Sequence, residues 1–200
     1  EMRKKLLGDK HPDVAKSLIC VAAIYDDQGR YDKAEASYLQ ALEMFKKLLG
    51  YEHPDVATSL NNLAILYYKQ GRYDDAEPLH LQVLEMRKKL LGDEHPDVAT
   101  SLHNLASLYK DQGKYDKAEP LYLQSLEMRK KLLGDEHPDV ATSLNNLASL
   151  YENQGRYDKA EPLYLQALEM RKKLLGDEHP YTQRTQKSYQ ALLEKKKRLR

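Results

Sequence analysis

The sequence has one cysteine, Cys20, among its 200 residues, and it has no tryptophan. A single thiol excludes an intrachain disulfide and a thiolate metal cluster, and it fits a reducing compartment. The sequence also lacks a strong excess of positive or negative charge, because 32 Lys and Arg residues stand against 31 Asp and Glu residues. Without a net basic field, we expect neither a nucleic acid nor an anionic membrane as a partner.

Long apolar runs are absent as well. No stretch approaches the roughly 18 residues that a membrane span needs, and residues 1–10 are mostly charged, unlike a signal peptide. Glycine and proline are few, at 9 and 8 residues, whereas 41% of the chain is hydrophobic and 32% is charged. This composition favours helix packed on helix, and we expect an untargeted, cytoplasmic protein.

The chain is built on an internal repeat of 42 residues. The dipeptide His-Pro recurs at that interval, at 11–12, 53–54, 95–96, 137–138 and 179–180. Residues 95–136 and 137–178 agree at 37 of 42 positions, and residues 11–52, the most divergent copy, still agree with 137–178 at 30. Such self-similarity is typical of a stacked repeat array.

The repeat divides the chain into one continuous array. We predict the end of a preceding repeat at 1–10, followed by repeats 1 to 4 at 11–52, 53–94, 95–136 and 137–178. Residues 179–200 open a fifth copy but carry Gln186 and Gln190 where the others have Leu and Ala. This departure predicts a terminal capping helix.

Each repeat has the pattern of two helices, called helix A and helix B below. In repeat 2, Pro54 and Asp55 favour a helix start, and apolar residues at spacings of three and four follow until Gly71. These signals predict helix A at about 54–69. A lone helix pair of this length cannot bury its apolar face, so neighbouring pairs must stack into a solenoid.

Helix B has start signals of its own. Asp74 and Glu77 have the spacing of a capping box, and Tyr73 is placed to pack on Pro78 as a hydrophobic staple. We therefore predict that helix B begins near Asp74 with Pro78 in its first turn, and that it ends at Gly92.

The apolar positions of repeat 2 resemble the signature of the tetratricopeptide repeat. They are Leu60, Leu63, Ala64, Tyr67, Ala76, His80 and Val83. The phrases HPDVATSLNNLA and AEPLYLQALEMRKKLLG are similar to the kinesin light chain type of this repeat, also common in bacterial arrays of near-identical units. The resemblance implies an all-α, right-handed α-solenoid of stacked antiparallel helix pairs. It also implies a non-enzymatic scaffold that binds a protein or an extended peptide in a concave groove lined by helix A.

A second face of helix A, separate from the apolar stripe, would line that groove. We define this groove face as Lys16, Ile19, Asp26, Thr58, Asn61, Asn62, Ile65, Tyr68, Lys69, Thr100, His103, Asn104, Ser107, Lys110, Asp111, Thr142, Asn145, Asn146, Ser149, Glu152 and Asn153. Repeats 3 and 4 differ at five positions, three of which lie on this face. Helix B residues that we expect to be exposed, such as Glu85, Arg87 and Lys88, vary less. Free drift of exposed positions is the alternative explanation for the sequence differences on the groove face.

The resemblance assigns roles within the groove face. Asn62, Asn104 and Asn146 share one position in three successive repeats, and it implies that their amides hold the main chain of a ligand. Four other residues would read the ligand's side chains. They are Tyr68, Lys69, His103 and Lys110.

Other chemistry finds little support in the sequence. The His-Pro histidines could form a metal ladder, but equivalent positions of stacked helix pairs lie about 10 Å apart, so a helix-start turn is the better interpretation. No base lies near Cys20, and no Gly-rich phosphate loop occurs, so we expect no enzyme, metal or cofactor. The basic run 195–198 could bind phosphate or act as a nuclear address, or it could be the solvated end of a helix. End-to-end self-assembly through the terminal repeats is the alternative function.

Overall fold

The structure is a computed structural model and describes residues 11–198. Within that range all regular elements are α-helices. They are α1 (Pro12–Asp27), α2 (Tyr31–Leu49), α3 (Pro54–Lys69), α4 (Tyr73–Leu91), α5 (Pro96–Asp111), α6 (Tyr115–Leu133), α7 (Pro138–Asn153), α8 (Tyr157–Leu175) and α9 (Pro180–Arg198). The predicted end of a preceding repeat, at 1–10, lies outside the described residues. No helix in the described range is both long and apolar enough to cross a membrane.

The His-Pro dipeptides start the A helices as the sequence predicts. In α3, His53 is the N-cap and its Nδ1 accepts a hydrogen bond from the backbone N–H of Asp55 at 3.1 Å, while Pro54 is the first helical residue. The same contact recurs at α1, α5 and α7. The chain leaves α3 through Gly71 at a φ of 73°, a conformation that glycine adopts without strain. The predicted bounds of 54–69 are confirmed.

Helix B begins near Asp74 as predicted, but the predicted capping box is wrong. The helix α4 begins at Tyr73, with Arg72 as its N-cap at φ −80° and ψ 64° and without a side-chain cap. Asp74 is therefore already inside the helix and cannot act as the N-cap of a capping box. The carbonyl of Arg72 accepts from the N–H of Ala76 at 3.1 Å, which closes the first turn. The predicted end at Gly92 is confirmed, at a φ of 84°.

The earlier helix start also moves Pro78 out of the first turn. Pro78 is the sixth residue of α4 and has no N–H to offer the carbonyl of Asp74, four residues before it. Both residues are exposed, so water can reach this carbonyl. The corresponding helices α6 and α8 contain Pro120 and Pro162 at the same position.

The helices form two compact units, one up to Asp93 and one from Glu94. In the first unit, α1 packs on α2, α2 on α3 and α3 on α4. Its core includes Phe45 of α2 together with Val56 and Leu60 of α3. Within this unit, helices that are consecutive in sequence pack on one another, as in a solenoid.

The second unit follows the same scheme with one more helix. Successive helices from α5 to α9 pack on one another, and α5 also contacts α7. Tyr122 of α6 is 1% exposed, and Leu102, Leu144 and Leu192 are buried to the same degree or fully. The predicted all-α solenoid of stacked helix pairs is confirmed. That the two units form one continuous array stays a prediction.

Candidate functional site

The groove face lies along the first helix of each pair and varies in exposure. Asn61 is buried at 8% exposure. Lys16, Thr58, Lys69, Asp111 and Asn153 are exposed, and the other predicted groove residues are half-buried. Most of the face is therefore accessible, although several of its side chains are engaged in contacts between repeats.

In the first unit, the groove face contains both an ion pair and apolar side chains. Nζ of Lys69 lies 2.6 Å from Oδ2 of Asp26, so a lysine at the end of α3 neutralises an acid at the end of α1. Ile65 is half-buried on α3, and the ring of Tyr68 lies 5.9 Å from that of Tyr73. Asn62 makes no side-chain hydrogen bond among the described residues, which leaves its amide available to a ligand.

In the second unit, an amide and an imidazole of the groove face bind each other. The amide nitrogen of Asn146 on α7 lies 2.9 Å from Nε2 of His103 on α5. The His103 ring also stands edge-on to the ring of Tyr122, with centroids 5.4 Å apart. Burial, with smaller contributions from Arg129 and Lys110, lowers the pKa of His103 to about 3, so this ring is neutral at pH 7. The neutral Nε2 can accept from the amide, and His103 is therefore part of the scaffold as well as of the groove face.

Two tyrosines of helix B contact residues of the groove face through their hydroxyl groups. The hydroxyl of Tyr122 lies 2.8 Å from Oγ of Ser107, and that of Tyr164 donates to Oε2 of Glu152 at 2.9 Å. Burial, followed by the charge of Glu152, raises the pKa of Tyr164. His80 of repeat 2 occupies the same position in helix B, and burial lowers its pKa to about 4.

Glu152 has a second partner that the sequence did not suggest. Nζ of Lys195 on α9 donates to Oε1 of Glu152 at 2.7 Å, and only 12% of the Glu152 side chain is exposed. In the same basic run, Lys196 pairs with Asp158 and with Glu161 of α8. Two of the four cations of 195–198 thus hold the last helix in place.

The arginines of helix B are the residues that sequence reasoning missed. Arg87 was expected to be exposed, which is wrong, because it is 8% exposed. Arg129 is 7% exposed, and its Nη1 donates to Oγ of Ser143 and to the carbonyl of Asp139, both on the next helix. One signal could have revealed this role, namely that repeat 1 carries Phe45 at the equivalent position, as expected for a buried site.

The histidines and Cys20 show no arrangement that suggests catalysis or metal binding. The Nδ1 atoms of His11, His53, His95 and His137 each cap a helix. Among residues 11–198 no group of three or more His, Cys, Asp or Glu side chains could hold a metal ion. Cys20 is a free, exposed thiol.

Helix pairs that repeat along the chain and pack on their neighbours define a helical repeat protein. The chain belongs to the tetratricopeptide repeat family, whose model matches residues 1–47, 13–89, 55–131, 97–173 and 139–189. Tetratricopeptide repeats generally mediate protein–protein interactions.

Solved structures of kinesin light chain-like repeat proteins are similar to this chain. One is BtubC (BKLC) from P. vanneervenii, with a TM-score of 0.76 and 30% identity over 90% of this chain and 71% of that one. Another comprises nearly identical TPR-like repeats of a kinesin light chain from Podosopora anserina, with a TM-score of 0.75 and 30% identity over 92% of this chain and 93% of that one. The comparison with curated proteins gave no match.

Proposed function

We propose that this chain is a non-enzymatic scaffold that binds an extended peptide or protein segment on the groove face. The proposal rests mainly on the positions at which the repeats differ in sequence. Repeats 3 and 4 share 37 of 42 residues, yet three of their five differences fall on the groove face. Duplicated units whose scaffold stays constant while one accessible face changes are expected when that face meets a ligand.

The exposed side of helix B supports the choice of face. Gln40, Gln82, Gln124 and Gln166 are exposed at one position of the four B helices and are identical. Some positions of the groove face are constant, but others change between repeats, for example from Ile65 to Ser107. The contrast between this constant glutamine position and the changing groove positions favours a ligand on the groove face.

Asparagine amides suit the task of holding a ligand backbone. An amide can donate to a peptide carbonyl and accept from a peptide N–H, so it binds main chain without selecting a sequence. Asn62, Asn104 and Asn146 provide one such amide in each of three repeats. Asn146 also donates to His103, which fixes its orientation on the face.

The test compares amides on the two surfaces. A random peptide library displayed on phage is selected against the chain, and the dissociation constant of a selected peptide is measured by calorimetry. The triple variant Asn62→Ala, Asn104→Ala and Asn146→Ala should bind at least about tenfold more weakly, because each lost hydrogen bond to a desolvated backbone is worth about 1 kcal/mol. Circular dichroism verifies that the variant remains helical.

The matched control removes three amides from helix B. Gln40→Ala, Gln82→Ala and Gln124→Ala together should leave the dissociation constant within about twofold, since surface changes away from a site have small effects. If the glutamine variant lost binding and the asparagine variant kept it, the ligand would lie on helix B and the proposal would fail.

End-to-end self-assembly stays the alternative prediction. The last helix presents Gln186 and Gln190 where the other A helices have Leu and Ala, which makes this face more polar than a repeat-to-repeat contact requires. A mass that rises with concentration in sedimentation experiments would favour assembly over peptide binding. The exposed thiol of Cys20 fits the cytoplasmic location that we also propose.

A further inference from the structure

The segment after the fifth His-Pro dipeptide differs in sequence from the other repeats, and it lines a cleft. Residues 179–185 read HPYTQRT, whereas residues 137–143 read HPDVATS, so Tyr181 stands in the place of Asp139 and Arg184 in that of Thr142. The cleft has a volume of about 520 Å³ and lies among α7, α8 and α9. Its lining includes Thr142, Asn145, Asn146, Arg171, Tyr181 and Arg184.

The guanidinium of Arg171 is held in this cleft by neutral groups. It is 6% exposed, and its Nη1 donates to the hydroxyl of Thr185 and, at 3.2 Å, to the carbonyl of Tyr181. Its Nη2 donates to Oγ1 of Thr142 at 3.2 Å. No carboxylate pairs with Arg171 among the described residues, although buried charges are normally paired.

The preceding repeat shows what has changed. There burial lowers the pKa of Arg129, and the carboxylate of Asp139 partly opposes this effect. In the cleft the acid has become Tyr181, whose ring lies 5.6 Å from the Arg171 guanidinium. A second cation, Arg184, has been added. Burial lowers the pKa of Arg171, Tyr181 opposes this effect, and the charge of Arg184 adds to it, so the two cations repel each other.

The cleft therefore carries more positive charge than its own partners neutralise. Arg184 is exposed and forms no ion pair among residues 11–198. Asp139 is the one acidic residue among those that line the cleft, and its side chain is 57% exposed, with Oδ2 3.8 Å from Nδ1 of His137. Two arginines thus line a space whose single acidic side chain lies beside the N-cap of α7.

We propose that this cleft binds a phosphorylated side chain of a peptide that lies on the groove face. The proposal rests on the function proposed above and specifies its ligand. A phosphomonoester brings close to two negative charges and three acceptor oxygens, which match the exposed guanidinium of Arg184 and the two donors that Arg171 keeps, its Nε and the second hydrogen of its Nη2. A carboxylate brings one charge and two oxygens, so it would leave one of the two cations without a partner.

The experiment uses three degenerate peptide libraries that differ only at the central residue, which is phosphoserine, glutamate or serine. Retention by the immobilised chain is measured for each library. We expect the phosphoserine library to be retained at least about tenfold more than the other two, because two charge-assisted contacts distinguish it. Equal retention of the phosphoserine and serine libraries, or of the phosphoserine and glutamate libraries, would overturn the proposal.

Two variants return the cleft to the sequence of the other repeats. Arg184→Thr removes an exposed cation, and Tyr181→Asp restores the acid beside Arg171. Each should abolish the preference for phosphoserine without lowering the melting temperature. The control Lys197→Thr removes an exposed cation of the same helix away from the cleft, and it should keep the preference. Equal losses in Arg184→Thr and Lys197→Thr would reveal unspecific charge attraction and would also overturn the proposal.

A small probe separates this proposal from the proposed function. N-acetyl phosphoserine amide should shift the NMR signal of the Arg184 side chain, whether or not peptides bind elsewhere. A shift without retention of any library would support the cleft and contradict peptide binding on the groove face. Retention of all three libraries without a shift would support peptide binding and overturn the phosphate site.

Discussion

The guanidinium of Arg129 donates a 2.8 Å hydrogen bond to the hydroxyl of Ser143, across the boundary between repeats 3 and 4. At the equivalent boundary between repeats 1 and 2, Phe45 is 1% exposed and packs with Val56 and Leu60. The receiving helices α3 and α7 agree over their first ten residues. The same position of helix B therefore connects repeats 3 and 4 through a hydrogen-bonded arginine and repeats 1 and 2 through a phenylalanine ring.

Truncation of this residue should loosen the boundary between repeats. Arg129→Ala should lower the free energy of unfolding by about 2–3 kcal/mol, because it removes buried hydrogen bonds to a charged group and leaves a cavity. Arg129→Phe should recover most of this loss, since α7 offers the same receiving surface as α3. Urea denaturation followed by circular dichroism measures both variants.

The neighbouring lysine provides the control for this prediction. Lys130 is adjacent in sequence, and Lys130→Ala should change the free energy of unfolding by less than about 0.5 kcal/mol. If Arg129→Phe were as unstable as Arg129→Ala, the boundary would require the hydrogen bonds themselves and the comparison with Phe45 would be wrong.

Stability should depend on pH through His103. Its pKa is about 3 in the fold, below the ordinary value of 6.5, so the folded state favours the neutral ring. The resulting contribution is complete above pH 6.5 and is lost as the pH falls from 6.5 towards 3, because the unfolded chain then binds a proton that the folded chain excludes. Between pH 7 and pH 5 we expect a loss of about 1–2 kcal/mol.

The next repeat suggests a substitution that tests whether His103 causes the pH dependence. Asn145 occupies the position of His103 in the next repeat, so His103→Asn should fit and should reduce the loss of stability between pH 7 and pH 5. The remaining slope should decrease further with His80→Tyr, which copies Tyr122 and removes a second histidine of lowered pKa. Urea midpoints at the two pH values measure the effect. An unchanged slope in His103→Asn would show that other groups cause the pH dependence.

Helix positions could be predicted from the sequence because local signals determine them. Pro54 and Gly71 delimit α3 through their own backbone preferences, and both predictions are confirmed. The capping box at Asp74 was predicted wrongly, because the first turn of α4 already closes from the carbonyl of Arg72 and leaves Asp74 inside the helix. The role of Arg129 was missed because a helical repeat does not reveal where the next repeat packs. The pairing of Lys195 with Glu152 joins residues 43 positions apart and depends on the same stacking.

The His-Pro histidines should contribute as helix caps and not as metal ligands. His137→Ala removes the acceptor for the N–H of Asp139, 3.1 Å away, and should cost about 1 kcal/mol of stability. His137→Asn should recover it, since asparagine is a preferred N-cap. Incubation with EDTA should leave the melting temperature of the chain unchanged, as measured by scanning calorimetry. A fall of several degrees on chelation would contradict the capping role.

Reversal of the charge on Glu152 should act first on stability. Its carboxylate accepts from the hydroxyl of Tyr164 and from Nζ of Lys195, and only 12% of the side chain is exposed. Glu152→Lys would place an ammonium group against Lys195 and leave the Tyr164 hydroxyl without its acceptor, so we expect a loss of about 2–3 kcal/mol in urea denaturation. Glu194→Lys, an equal charge change at an exposed position of α9, should cost less than about 0.5 kcal/mol. Equal stability of the two variants would show that Glu152 is free to contact a ligand, and its contacts with Tyr164 and Lys195 would then not hold α9 in place.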